Sequence, residues 1–168
     1  MQSRLIHKGA FLLLVALAVA ALTGCGGGED SASAAEGETV TVKRLDKLED
    51  GVRAQVGQWV VDVPVAEGDT PAFTVSKIIA PPGNANFGFQ NSTGVQHNLV
   101  IEEVGGGSID TPITRDTKGK SLWLRSSLFE GKKYVFYCAI HRAEGMEGTI
   151  VVDPSLSAES LKPYVKSR

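Results

Sequence analysis

Eight short apolar runs, separated by turn-forming residues, constrain the fold of this chain more than any other feature of its sequence. The runs lie between residues 39 and 153 and are rich in valine, isoleucine and aromatic residues. Several alternate apolar with polar positions, as around Phe73 and Val75, which is the period of a strand with one buried face. Proline and glycine mark turns between runs at residues 81–83, 105–107 and 130–131. Short strands at this spacing predict an all-β fold, either an antiparallel sandwich or a Greek-key barrel.

Two segments depart from this pattern. Residues 105–120 are polar and glycine-rich, so we expect a long surface loop there. Residues 155–168 begin with a serine that could cap a helix and are interrupted by Pro163. The sequence therefore allows one short C-terminal helix.

The N-terminal segment has the layout of an export signal. Two basic residues precede an apolar run at 10–22, which is shorter than the ~20 residues that a membrane-spanning helix needs. The sequence LTGC at residues 22–25 resembles the lipobox of bacterial lipoproteins. This resemblance implies that residues 1–24 are a signal peptide and that a lipid on Cys25 holds the chain to the periplasmic or extracytoplasmic side of a membrane. The alternative is an ordinary secreted protein with a chance cysteine.

The remaining chain divides into a tether and one domain. The segment GGGEDSASAAEGE that follows Cys25 has no aromatic or branched apolar residue, so we interpret residues 25–39 as a flexible tether. Residues 40–168 are enough for one domain with a single core, and we expect a monomer. Without residues 1–24, the 17 basic and 19 acidic residues become 15 and 19, a formal charge of about −4. This charge does not favour a nucleic-acid partner.

The mature chain has few residues that bind soft metals. If Cys25 carries lipid, Cys138 has no partner for an intramolecular disulfide, and an unpaired thiol in an exported protein indicates deep burial or metal ligation. Cys138, His141 and Met146 follow the run KKYVFYC with the spacing C-x-x-H-x-x-x-x-M, and His97 opens the run HNLVIEE. We expect the four side chains to meet if the two strand ends lie at the same pole of the sandwich.

These donors favour copper over zinc. A thiolate, two imidazoles and a weakly bound thioether form the blue-copper set, a trigonal site with a long axial methionine. Zinc accepts cysteine and histidine but gains little from a thioether. We therefore predict that one type 1 copper ion is bound by four residues: His97, Cys138, His141 and Met146. Each histidine taken alone could instead be an ordinary core histidine, and Met146 could be the first core residue of the last strand.

The segments GVQHNLVIE and YVFYCAIHRAEGMEGTIVV resemble the copper-binding strand and loop of the cupredoxins. The spacing of Cys138, His141 and Met146 is similar to that of plastocyanin and pseudoazurin. The resemblance implies a Greek-key β-sandwich or barrel of the cupredoxin type. It also implies that Asn98 bonds to the backbone of the ligand loop and ties the two ligand segments together. A turn-capping asparagine is the alternative.

The ligand loop also carries small and apolar residues that should lie at the surface. In cupredoxins the histidine of this loop reaches solvent through an apolar patch where redox partners dock. The resemblance therefore implies a partner-docking patch around His141, formed by Ala139, Ile140, Arg142 and Ala143. Charge at Arg142 would adjust the choice of partner. A loop with no docking role is the alternative.

The sequence does not predict an enzyme. No serine has a histidine and an acid in a suitable context, and no phosphate-binding glycine loop opens a helix. We predict a blue copper protein that carries single electrons at the outer face of the cytoplasmic membrane, between partners such as cytochromes and copper enzymes. An extracytoplasmic protein for copper storage, delivery or resistance is the main alternative. An adhesion or assembly module is a weaker one.

Overall fold

A computed structural model describes residues 37–44, 58–156 and 160–163 of the chain. The signal peptide and the lipidation site Cys25 predicted from the sequence lie outside the described residues, as does the tether up to residue 36. The described chain contains ten strands: β1 (Glu38–Thr41), β2 (Lys43–Arg44), β3 (Trp59–Pro64), β4 (Val75–Ala80), β5 (Gly83–Gln90), β6 (Val100–Glu103), β7 (Ser108–Asp110), β8 (Leu122–Leu128), β9 (Tyr134–Tyr137) and β10 (Glu147–Val152). One turn of 3-10 helix, Arg142–Glu144, lies between β9 and β10.

The strands form two sheets that enclose a single core. The larger sheet has the order β1-β4-β10-β9-β6-β7 and the smaller one β2-β3-β5-β8. Alternate side chains of each strand face the space between the sheets, where Phe87, Phe89 and Phe136 are fully buried. The predicted all-β sandwich is confirmed.

Both sheets are mixed, so the predicted antiparallel pairing is confirmed only in part. Strand β4 pairs in parallel with β1 and β10, and β3 pairs in parallel with β5. The chain crosses from one sheet to the other between β3 and β4 and returns at β5. The chain reverses direction at each of these two crossings, so β3 and β5 run the same way and lie side by side in one sheet.

The segment at 105–120 is only partly a loop. Residues 108–110 form β7, which pairs with β6, and an isolated bridge joins His97 to Thr114. Strand β7 lies at the edge of the sheet and all three of its residues are exposed, so its composition resembles that of a loop.

The C-terminal helix allowed by the sequence is not seen among the described residues of that segment. Residues 154–156 and 160–163 form turns, a bend and a bridge from Pro163 to Arg44, and the other positions lie outside the described residues. Where the structure describes the chain, no helix is long and apolar enough to cross a membrane.

The register of the larger sheet brings several strand ends to one pole. A single row of paired residues crosses the sheet through Thr39, Lys77, Thr149, Val135 and Glu102. On the same side of this row, β9 ends while β1, β6 and β10 begin. We call this end of the sheet the upper pole. The β9–β10 loop, the segment before β6 and the first described residue, Gly37, all lie there.

Candidate metal centre

The loop between β9 and β10 returns the chain to the sheet in nine residues, 138–146. Its two ends are paired, because the Cys138 N–H donates to the Met146 carbonyl at 3.0 Å. The 3-10 turn between them ends at Gly145, whose φ of 89° is left-handed, a conformation that glycine adopts without steric cost. The loop therefore presents Cys138 and Met146 side by side at the upper pole.

Three of the predicted ligands meet at this pole. The Cys138 Sγ lies 3.8 Å from the His97 Nδ1 and 3.5 Å from the His141 Nδ1. The two Nδ1 atoms are 3.1 Å apart, and one donor atom from each residue lies within 4.8 Å of the others. The structure thus brings together residues that are more than forty positions apart in the chain.

The spacing of these donor atoms fits one metal ion. An ion in their plane, at bond lengths typical of zinc of about 2.0 Å to nitrogen and 2.3 Å to sulfur, requires separations of about 3.5 Å between nitrogens and 3.7 Å between sulfur and nitrogen. The observed 3.1, 3.5 and 3.8 Å lie close to these values. Both imidazoles would bind through Nδ1. With a thiolate as the third donor, this arrangement is consistent with a single type 1 copper site.

Three of the four predicted ligands are shielded from solvent. Cys138 and Met146 are fully buried, His97 is 3% exposed and His141 is partly exposed. Burial lowers the pKa of His97, the neighbouring His141 lowers it further, and Glu144 opposes both. A lowered pKa keeps the imidazole neutral, so its lone pair is available to a metal. Of the four predicted ligands, His141 is the one that reaches solvent.

The backbone of Met146 is hydrogen-bonded to two of the three donor residues, His141 and Cys138. Its N–H donates to the His141 carbonyl at 3.2 Å, while its carbonyl accepts from Cys138. Its side chain belongs to the hydrophobic core of the sandwich. This position agrees with a core residue and with an axial donor alike, so ligation by Met146 stays a prediction.

Asn98 connects the two ligand segments. Its side chain is 2% exposed, and its Oδ1 accepts a hydrogen bond from the Ala139 N–H at 2.9 Å. The bond joins the residue after His97 to the residue after Cys138. This is the type of contact that the cupredoxin resemblance implies for Asn98.

A further set of contacts fixes the His97 segment. The backbone of His97 pairs with Thr114 through two hydrogen bonds of 2.9 Å. The buried amide of Asn91 donates to the Thr114 and Val95 carbonyls at 2.8 Å each. No local motif signals contacts between residues so far apart, and Asn91 and Thr114 could not be identified from the sequence.

Exposed apolar side chains surround the solvent edge of the cluster. Ala139 and Ala143 are exposed, and Ile140 is 44% exposed. Val95, two residues before His97, and Ile113, directly before Thr114, are each 49% exposed. Exposed apolar residues thus occur in the segments of His97 and Thr114 as well as in the ligand loop.

Arg142 differs from the other residues of the predicted patch. Its guanidinium forms ion pairs of 3.2 Å with Glu102 and with Glu147. It also lies 3.9 Å above the centre of the Tyr137 ring. Its charge is therefore already balanced by two carboxylates of the same chain.

Comparison with known proteins supports a copper site. The sequence profile of the copper-binding proteins of the plastocyanin/azurin family matches residues 60–153, a segment that contains all four predicted ligands. No curated protein matches the chain.

Similar solved structures include two auracyanins and a rusticyanin. Reduced auracyanin from Roseiflexus castenholzii is 22% identical, with 56% of this chain and 97% of that chain covered and a TM-score of 0.46. Auracyanin A from Chloroflexus aurantiacus, a "blue" copper protein, is 15% identical over 58% of this chain and all of its own, with a TM-score of 0.48. Rusticyanin from Thiobacillus ferrooxidans is 22% identical over 56% and 77%, with a TM-score of 0.44.

Proposed function

The chain belongs to the plastocyanin/azurin family of copper-binding proteins, and on that premise we propose that it is a blue copper protein that carries single electrons between redox partners. The observation that supports this most is the buried thiolate of Cys138 lying between the Nδ1 atoms of His97 and His141. If these three side chains lay far apart, they could not bind one metal ion together.

In this proposal four residues hold the copper: His97, Cys138, His141 and Met146. Bound copper supplies the one-electron chemistry, and the protein sets geometry, polarity and access. Backbone pairing of His97 with Thr114 and the bond from Ala139 to Asn98 hold the donors through contacts that need no metal. Donors fixed in this way rearrange little when the oxidation state changes, which favours rapid electron exchange.

Electrons would enter and leave through the edge of His141. This imidazole is the predicted ligand that reaches solvent, and Ala139, Ile140 and Ala143 form an apolar rim beside it. An apolar rim of modest size suits brief contacts with partners. Cytochromes and copper enzymes are the partner classes that we propose.

Retention of copper distinguishes this function from copper storage or delivery. A fully buried thiolate in a closed site releases metal slowly, whereas a delivery protein must give it up. The test is to load the domain with copper and cycle it between oxidised and reduced states while a copper(I) chelator is present. We expect repeated one-electron cycles with the copper retained, and Cys138→Ser serves as the control that should lose it. Copper lost to the chelator within minutes would favour delivery instead.

We also propose that a lipid on Cys25 holds the domain at the outer face of the cytoplasmic membrane. The lipobox-like LTGC sequence supports this placement, and stable anchoring takes more than one acyl chain. The tether would then let the domain meet membrane-bound and soluble partners in turn.

A further inference from the structure

Three side chains form a cradle on the outer face of the larger sheet at the upper pole. Tyr137 of β9 and Glu147 of β10 are directly paired across the two strands. Glu102 of β6 pairs with Val135, two residues along from Tyr137. Since side chains two apart on a strand share a face, Tyr137, Glu147 and Glu102 all face away from the core.

The guanidinium of Arg142 occupies this cradle. Its Nε donates to the Glu147 carboxylate and one terminal nitrogen donates to the Glu102 carboxylate, both at 3.2 Å. The plane stacks over the Tyr137 ring at 3.9 Å. One side chain therefore contacts three adjacent strands.

The position of this contact in the chain relates it to the site. Tyr137 immediately precedes Cys138, and Arg142 immediately follows His141. The stacked pair thus brackets the short segment that carries both of these proposed ligands. No other side chain of the turn 142–144 forms an ion pair in the part of the chain that the structure describes.

The two histidines differ in how they are supported. His97 is buried and is paired through its backbone with Thr114. His141 is partly exposed and lies in a loop whose backbone bonds are formed within the loop itself. Ala139, before His141, is bonded to Asn98, and the Arg142 side chain attaches the turn after His141 to the sheet.

We propose that Arg142 is a positioning residue for His141: its contacts with Glu102, Glu147 and Tyr137 fix the 3-10 turn on the sheet and hold the imidazole beside Cys138. The inference rests on the proposed copper site and deepens it. It gives Arg142 a role within the chain in addition to the adjustment of partner choice that the cupredoxin resemblance implies for it.

The contact depends on the shape of the arginine as well as on its charge. A planar guanidinium can bond to two carboxylates and stack on an aromatic ring at once, whereas the ammonium of lysine is a compact point charge. Arg142→Lys therefore keeps the charge and loses the geometry. Arg142→Met removes both.

The first test uses the metal-free domain and measures hydrogen exchange of the bonded amides of Glu144, Gly145 and Met146. We expect exchange to be about tenfold faster in both Arg142 variants, from the usual strength of exposed ion pairs and cation–π contacts. Lys132→Met is the matched control. It removes the 2.8 Å ion pair between Lys132 and Glu103, at the far end of the same strands, and it should leave these amides unchanged.

The second test uses the copper-loaded domain and records its electron paramagnetic resonance spectrum and reduction potential. A shift of both in Arg142→Lys, which preserves the charge, is the expected result. If Arg142→Lys shows the hydrogen exchange, spectrum and potential of the wild type, the proposal is wrong. If the potential changes only in Arg142→Met, Arg142 acts through its charge alone.

If Arg142→Met does not fold, the double variant Glu102→Gln, Glu147→Gln removes the negative charge of both partners while leaving Arg142 in place, and loop exchange should again be faster. If the wild-type domain shows no thiolate-to-copper band, the proposed function fails, while hydrogen exchange in the metal-free domain still decides the role of Arg142.

Discussion

The two histidines of the site have different surroundings, and these assign them different tasks. His97 is buried and held by backbone pairing, so in the proposed function it would be a fixed donor. His141 reaches solvent and lies among exposed apolar residues, so it would be the proposed contact with partners. A buried histidine also couples the stability of the domain to pH.

The metal-free domain should lose stability as pH falls through the ordinary histidine range. Burial, assisted by His141, lowers the pKa of His97 in the folded state, whereas an unfolded histidine has a pKa of about 6.5. Below about pH 6.5 the unfolded chain therefore binds a proton that the folded domain does not, and the free energy of unfolding decreases until pH passes below the lowered pKa. Chemical unfolding between about pH 8 and about pH 5 measures this. His97→Gln should show a smaller decrease, and an equal decrease in both proteins would contradict the expectation.

Substitution of Met146 tests its role as the axial donor. Met146→Gln should give a coloured protein with a lower reduction potential, because an amide oxygen favours copper(II) more than a thioether does. Met146→Leu keeps the volume and the apolar character of the side chain and removes the donor, so its potential should rise. Potentials equal to that of the wild type in both variants would show that Met146 is only a core residue.

At the scale of strands and loops, long-range contacts decide where the ligands lie. The β9–β10 loop depends on the pairing of Cys138 with Met146 at its ends. The segment that carries His97 depends on Thr114 and Asn91. Asn98 joins these two parts of the site.

Removal of the Asn98 side chain should destabilise the metal-free domain. Asn98→Ala leaves the Ala139 N–H without its 2.9 Å partner, and an unsatisfied polar group in such a place costs about 1–3 kcal/mol. Asn84→Ala is the control, since Asn84 also forms a side-chain hydrogen bond, to Ser127, but on the exposed surface. Denaturant unfolding of both variants gives the comparison. Equal losses would mean that the Asn98 bond does not stabilise the domain specifically.

Elements that depend on local sequence patterns could be predicted, and those that depend on contacts between distant residues could not. Alternation of apolar residues along a strand is local, so the all-β sandwich could be predicted. Strand direction depends on which sheet each strand joins, so the parallel pairs of β4 could not. Residues 108–110 of β7 resemble a loop in the sequence because all three are exposed.

The residues of the site also divide into those that a local pattern predicts and those that only long-range contacts identify. Cysteine, histidine and methionine are rare in this chain and closely spaced, so the donor set could be proposed from composition and spacing. Asn91, Thr114 and the partners of Arg142 contact the site only through the folded chain, and no spacing in the sequence reveals them. In the sequence, Arg142 resembles an ordinary surface arginine, but in the structure it contacts Glu102, Glu147 and Tyr137.

For the molecule as a whole, the length of chain between the proposed lipid anchor and the described domain limits how far apart the two can be. Gly37 begins the described chain at the upper pole, twelve residues after Cys25. A chain of this length spans at most about 40 Å. The proposed lipid on Cys25 would therefore hold Gly37 within about 40 Å of the membrane surface.

The anchor can be tested apart from the metal site. Cys25→Ser should move the protein from the membrane fraction to the soluble fraction of the cells that export it, because the lipid would no longer be attached. Its visible spectrum with copper should equal that of the membrane-bound protein, since the donors lie in the folded domain. A Cys25→Ser protein that stays in the membrane fraction would contradict the lipid anchor.

The central claim is that Cys138, as a thiolate, binds copper together with His97 and His141. The most direct test is the visible absorption spectrum of the domain from about residue 36 onward, titrated with copper(II) beside a Cys138→Ser control. We expect an intense blue or green thiolate-to-copper band that saturates at one copper per chain and is absent from the control. A wild-type domain without this band, or a band that persists in Cys138→Ser, would contradict the claim.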